Sequence, residues 1–108
     1  MKIYRLEDGD GRGPYTARGI KPSMLPYDPP DVSVDCPGFG LRHVCGFRNL
    51  RQLYDWFPRE TVKALLDIGI RLCYYEVIPE AVISGESRRQ VAFIREVAKG
   101  PFFGVYDE

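Results

Sequence analysis

The sequence predicts an α+β domain: a small mixed or antiparallel sheet, a helix pair packed on it, and a long Pro/Gly-rich arm. Three observations predict it. Apolar residues recur at helical spacing between Leu50 and Leu66. Two later stretches, 70–78 and 88–95, are rich in β-branched and aromatic residues. Between Pro14 and Gly46 no period persists, and that stretch holds six of the nine prolines. With 108 residues the chain suits one domain, 1–108, and its 44% hydrophobic and 28% charged residues are an ordinary globular balance.

A first strand is expected over 1–7, led by Ile3 and Tyr4. The turn cluster Asp8-Gly9-Asp10-Gly11-Arg12-Gly13-Pro14 ends it. The arm runs over 8–46. It is long for a structureless loop, so it is either functional or hides short strands such as Val32-Ser33-Val34 or Leu41-Arg42-His43-Val44. Met24, Leu25, Tyr27, Phe39 and Leu41 can anchor it. The rest, 47–108, holds the helix pair, the later strands and a docked C-terminus. Asn49 is a good helix N-cap, with Gln52 placed to reach back. Leu50, Leu53, Tyr54 and Phe57 then make one apolar face. Pro58 opens a second helix with Val62, Leu65 and Leu66 as its buried side, and Gly69-Ile70 closes it as a Schellman pair. Leu53, Phe57, Leu65 and Leu66 are expected in one core with Val91 and Phe93. Ile70–Ile78 reads as a central strand and Arg88–Arg95 as a last one. Phe102, Phe103, Val105 and Tyr106 are too apolar for a free tail.

Charge and composition exclude several classes. Fifteen basic residues balance fifteen acidic ones, and each half balances too, which argues against a nucleic-acid partner. No stretch has the roughly 20 apolar residues that span a bilayer, and the N-terminus turns polar too soon for a signal peptide, so a cytoplasmic location and no membrane partner are expected. Three cysteines without a CxxC pair do not suit a disulfide framework. Cys36, His43 and Cys45, with Asp35 or Cys73, have metal-ligating chemistry but match no zinc spacing, and no metal is expected. Gly9, Gly11 and Gly13 lack the spacing of a dinucleotide loop, and Pro14 cannot open its helix. Arg5 and Glu76 stand inside strands and Gln90 at the start of one. Buried, they need partners: an Arg5–Glu76 pair, or a polar cleft that holds a ligand.

Blocks of the sequence resemble a known family. Ile3-Tyr4-Arg5-Leu6-Glu7, Gly13-Pro14-Tyr15, Gly46 to Leu53, Trp56-Phe57, Tyr75-Glu76-Val77 and Gln90-Val91-Ala92-Phe93 are similar to a family of small uncharacterised phage and prophage proteins. That resemblance implies a phage setting, in the host cytoplasm, and no activity. The same blocks resemble the ADP-ribosyltransferase core. There an Arg on the first strand contacts NAD, an aromatic-x-Ser/Thr segment precedes a helix, and a catalytic Glu opens a late strand. Tyr4-Arg5, Phe47-Arg48-Asn49 and Gln90 fall at those places. The resemblance implies Arg5, Tyr15, Asn49 and Gln90 as nucleotide-binding candidates and NAD as the ligand. Gln90 cannot supply the negative charge of the catalytic Glu, so the catalytic candidates are Gln90 itself or another carboxylate, Glu86 or Glu76.

Two functions follow as expectations. The first is an interaction protein that binds or modulates a host protein, in takeover or anti-defence, without strong catalysis and with no cofactor. Its interface would be Tyr15, Met24, Leu25, Tyr27 and Phe39, residue types common at interface centres. The alternative is an NAD- or nucleotide-binding ADP-ribosyltransferase-like protein, active or degenerate.

Overall fold

The protein's computed structural model describes residues 1–25, 36, 38–85 and 89–104. Tyr27, the Val32-Ser33-Val34 segment, Asp35, Glu86, Val105 and Tyr106 lie outside them.

Among the described residues, two three-stranded antiparallel sheets and two α-helices make the fold, which is α+β as the periodicities require. The first sheet contains β1 (Lys2–Glu7), β3 (Arg71–Glu76) and β6 (Lys99–Phe102), in the order β1-β3-β6. The second contains β2 (His43–Gly46), β4 (Ile83–Ser84) and β5 (Val91–Ile94), in the order β2-β5-β4. An isolated antiparallel bridge between Tyr4 and Phe47 joins them, with N–H···O distances of 2.7 and 2.8 Å. The order across the whole array is therefore β4-β5-β2-β1-β3-β6. Gly46 makes the crossing possible. A Cβ there would stand 2.5 Å from Ile3 Cγ2 and 2.8 Å from the Tyr4 carbonyl.

Helix α1 (Leu50–Trp56) starts as the sequence requires: Asn49 Oδ1 accepts from the Gln52 N–H at 2.8 Å. Gln52 returns the bond one residue earlier than in a standard capping box, to the Arg48 N–H at 3.1 Å. Pro58 is the N-cap of α2 (Arg59–Asp67). At the far end the Ile70 N–H reaches the Leu65 carbonyl at 3.0 Å and the Gly69 N–H reaches that of Leu66 at 3.2 Å, a Schellman pair with Gly69 at φ +98°.

The first sheet is covered on both faces, and this divides the core in two. Leu6 faces the helices, where it meets Phe47, Leu53, Trp56, Phe57, Val62, Leu65 and Ile70. Ile3, Cys73, Tyr75 and Val77 face the second sheet, where they meet Val91 and Phe93. The single core expected from sequence is thus two clusters, separated by the first sheet. Leu66 belongs to neither and is 45% exposed, because it lies one residue around the helix from Leu65.

Four further expectations are refined or corrected. The region 8–46 is not all arm, since its last residues form β2, within the Leu41–Val44 candidate and beyond it. The strand over 88–95 shortens to β5 and is not the last, because β6 follows and pairs with β3. Phe102 and Phe103 remain 41% and 44% exposed, so that docking is made by backbone pairing more than by side-chain burial. Finally, Arg5 does not pair with Glu76. In the β1–β3 register Arg5 faces Cys73, and Glu76, three residues on, points to the opposite side of the sheet. Its carboxylate lies 3.9 Å from the Met1 amino group instead.

Candidate functional site

Alternation on β1 puts Ile3, Arg5 and Glu7 on the side of the second sheet, which places two ionised residues in the protein interior. Arg5 is 7% exposed and Glu7 3%. They satisfy each other: Arg5 Nε donates to Glu7 Oε2 at 2.9 Å. The Tyr75 hydroxyl lies 3.0 Å from both Glu7 oxygens, and a terminal nitrogen of Arg95 lies 3.6 Å from Oε2. The other Arg5 nitrogens donate to backbone, to the Cys45 carbonyl at 2.6 Å and the Gly11 carbonyl at 2.9 Å. A buried guanidinium with a carboxylate and two carbonyls is well compensated. Burial first, and Glu7 second, push the Tyr75 hydroxyl up to about 12 and the Cys73 thiol up to about 12.

Next to this cluster opens a cavity of about 320 Å³. Its walls come from four parts of the chain. β1 contributes Arg5 and Leu6, and the start of the arm contributes Gly13, Pro14, Tyr15 and Thr16. Phe39 and the β2 segment form a third wall, through His43, Val44, Cys45 and Phe47. Trp56 and Phe57 close the helix side, and Gln90, immediately before β5, completes the lining. Aromatic surfaces dominate. Trp56 Nε1 donates to the Tyr15 hydroxyl at 3.0 Å, Phe39 stands 5.7 Å from the His43 ring, and the Arg89 guanidinium lies 4.4 Å over the Trp56 indole. His43 Nδ1 accepts from the Gly40 N–H at 3.0 Å.

The turn that ends β1 is organised by Asp8, whose Oδ1 accepts the Asp10 and Arg12 N–H groups, both at 2.9 Å. The Arg12 bond leads in holding that carboxyl below its ordinary value.

The sequence candidates divide accordingly. Arg5, Tyr15 and Gln90 meet at this cavity, although one comes from the first strand, one from the arm and one from near the end. Asn49 does not join them, because its side chain is spent on the helix cap. Glu76 lies on the other side of the first sheet. Of the interface candidates, Tyr15 and Phe39 line the cavity, and Tyr15, Met24 and Leu25 also pack half-buried on the helix cluster, as a cover for the protein's own core. Cys36 and Cys73 are buried and Cys45 half-buried, and no disulfide joins them. Among the described residues no group of three His, Cys, Asp or Glu side chains could hold a metal.

Sequence reasoning missed Phe47, Trp56 and Phe57 as cavity walls and treated His43 and Cys45 only as metal donors. The signal was present in β2: His43, Cys45 and Phe47 alternate and so share one face toward the cavity, while Val44, which also borders it, and Gly46 pack on the second core.

Among the described residues no helix is long and apolar enough to cross a membrane. The family model described as Bacteriophage T4 Y00F protein matches residues 1–101, so the chain belongs to that phage protein family. No curated protein and no solved structure matches it.

Proposed function

We propose that this phage protein binds a nucleotide of the NAD and ADP-ribose class in the aromatic-walled cavity, with little or no turnover. The observation that carries the reading is the convergence of Arg5, Tyr15 and Gln90 on one cavity. Each can do a distinct part of the work. Tyr15, Phe47 and Trp56 offer ring faces for a base. Beyond its bonds to Cys45 and Gly11, Arg5 keeps one N–H on each terminal nitrogen, and a phosphate oxygen accepts such charge-assisted bonds well. The Gln90 amide can hold ribose hydroxyls by hydrogen bonds. It cannot offset the positive charge of an oxocarbenium-like transition state, which is why turnover is slow or absent. The resemblance to ADP-ribosyltransferase cores supports the same assignment, with the neutral Gln90 where the catalytic acid stands.

Calorimetric titration with NAD, ADP-ribose and nicotinamide tests this. Saturable heat is expected for at least one of them, and Phe39→Ala should weaken it roughly tenfold by removing an aromatic wall. No heat at millimolar ligand would end the reading. Arg5→Ala is a poor probe, since it also removes a donor from Glu7 and from the Cys45 and Gly11 carbonyls.

A second reading is a host-protein partner. Leu41 favours it, fully exposed on the loop between Phe39 and His43, two residues that line the cavity. An apolar side chain there suits an interface anchor. A host protein retained by the wild type and lost with Leu41→Asp would support that reading; equal retention by both would not.

A further inference from the structure

We infer that Arg95 and Glu7 are positioning residues for the cavity: they fix the Gly11 carbonyl, and through it the loop that delivers Tyr15 to the cavity wall. Only the ligand part of this inference rests on the nucleotide-binding reading.

Arg95 lies in the short turn after β5 and is not part of the cavity lining. One of its terminal nitrogens is 3.6 Å from Glu7 Oε2 and also donates to the Gly11 carbonyl. Arg5 donates to the same carbonyl at 2.9 Å. Two guanidinium groups, both tied to one buried carboxylate, thus converge on a single backbone oxygen. Such charge-assisted bonds are about twice as strong as neutral ones. The fit is close: a Cβ on Gly11 would come within 2.9 Å of an Arg95 terminal nitrogen, and Gly11 has φ +81°. Arg95 Nε is buried without a partner among the described residues, so the group is held here through that one terminal nitrogen.

From this fixed point the chain needs two residues to reach Gly13, where a Cβ would lie 3.6 Å from both Arg5 terminal nitrogens. Pro14 and Tyr15 follow, and the Tyr15 hydroxyl meets Trp56 Nε1. The order of contacts is Arg95 to Gly11, along the backbone to Tyr15, and from Tyr15 to Trp56. β5 therefore serves the cavity at both ends, with Gln90 before it in the lining and Arg95 after it holding the loop that leads to Tyr15.

Trp56 is the chain's single tryptophan and is 5% exposed, so it reports the wall position without any ligand. The experiment is acrylamide quenching of Trp56 in wild type, Arg95→Ala and Arg95→Lys, each checked for folding by circular dichroism. It is followed by ADP-ribose titration of the same proteins. Arg95→Ala should stay folded, because Glu7 keeps Arg5 and Tyr75. Its Trp56 should be quenched at least about twofold more readily, and any ADP-ribose affinity should fall roughly tenfold, the scale of one charge-assisted bond. Arg95→Lys, which keeps a charged donor, should recover most of both. A purely structural role would lower stability and leave Trp56 quenching in the folded protein unchanged, and that result overturns the inference. If Arg95→Ala does not fold, Arg95→Gln replaces it, with the same expected change in quenching. Should the wild type bind none of ADP-ribose, NAD and nicotinamide, the nucleotide reading fails, while the quenching result still decides the role of Arg95.

Discussion

Replacing Glu7 by glutamine removes one charge from the interior and almost no volume. The carboxylate is 3% exposed and accepts from Arg5 Nε at 2.9 Å and from the Tyr75 hydroxyl at 3.0 Å. Glutamine keeps an oxygen for Tyr75, and Arg95, whose side chain is 36% exposed, can turn to water. Arg5 has no such escape: its side chain is 9% exposed, and it would sit beside a neutral amide. Breaking a buried pair by removing one partner costs about 3–5 kcal/mol, because the other charge stays buried and uncompensated. A domain of this size is stable by about 5–15 kcal/mol in all, so Glu7→Gln should remove a large share. Urea unfolding followed by Trp56 fluorescence, with linear extrapolation, measures it. A loss under about 1 kcal/mol would refute the reasoning, since it would mean that the two carbonyls and cavity water compensate the Arg5 guanidinium without Glu7.

The remaining predictions concern the core and pH. Leu65→Ala, at a fully buried position, should cost about 2–5 kcal/mol, whereas Leu66→Ala should stay within about 0.5 kcal/mol; equal losses in urea melts would contradict the helix register. Gly46→Ala should cost at least about 1–3 kcal/mol, because the obstructing Tyr4 carbonyl is backbone, and an unchanged thermal midpoint would contradict the close crossing of β1 and β2. Stability should also fall as pH rises from about 9 toward 12. Cys73 and Tyr75 keep their protons in the folded state up to about 12, while the unfolded chain gives them up from their ordinary 9.0 and 10.0. The folded state then binds more protons, and each pH unit per group subtracts up to about 1.4 kcal/mol. Urea midpoints equal at pH 7.5 and 10.5 would contradict this.

The helical half was the more legible part, and the reason is local. The Asn49 cap, the apolar face through Leu53 and Phe57, and the Gly69-Ile70 ending are contacts between residues a few positions apart. The division of the core was not legible, because nothing in the spacing of Ile3 or Phe93 says that a second sheet lies opposite the first. The Arg5 partner was misread for a related reason: one residue of strand parity decides whether a side chain meets Glu7 or Glu76, and the register is a long-range property. Within the site, Arg5, Tyr15 and Gln90 were named from the resemblance to known families, and the cavity does join them. Asn49 was named the same way, but a helix cap and a ligand contact ask for the same side-chain chemistry, and the cap took it. The aromatic walls went unnoticed because Phe47, Trp56 and Phe57 read as ordinary core, which on their other sides they are.

The claim that the cavity is a nucleotide site is tested most directly by nuclear magnetic resonance. Backbone amide shifts of the uniformly labelled protein would be followed through a titration with ADP-ribose. The account predicts saturable shifts concentrated at Gly13, Tyr15, Val44, Phe47 and Gln90, with the Trp56 indole N–H moving alongside them and the α2 and β6 amides unmoved. Shifts that cluster elsewhere, or no shifts at millimolar ADP-ribose, NAD or nicotinamide, would contradict it.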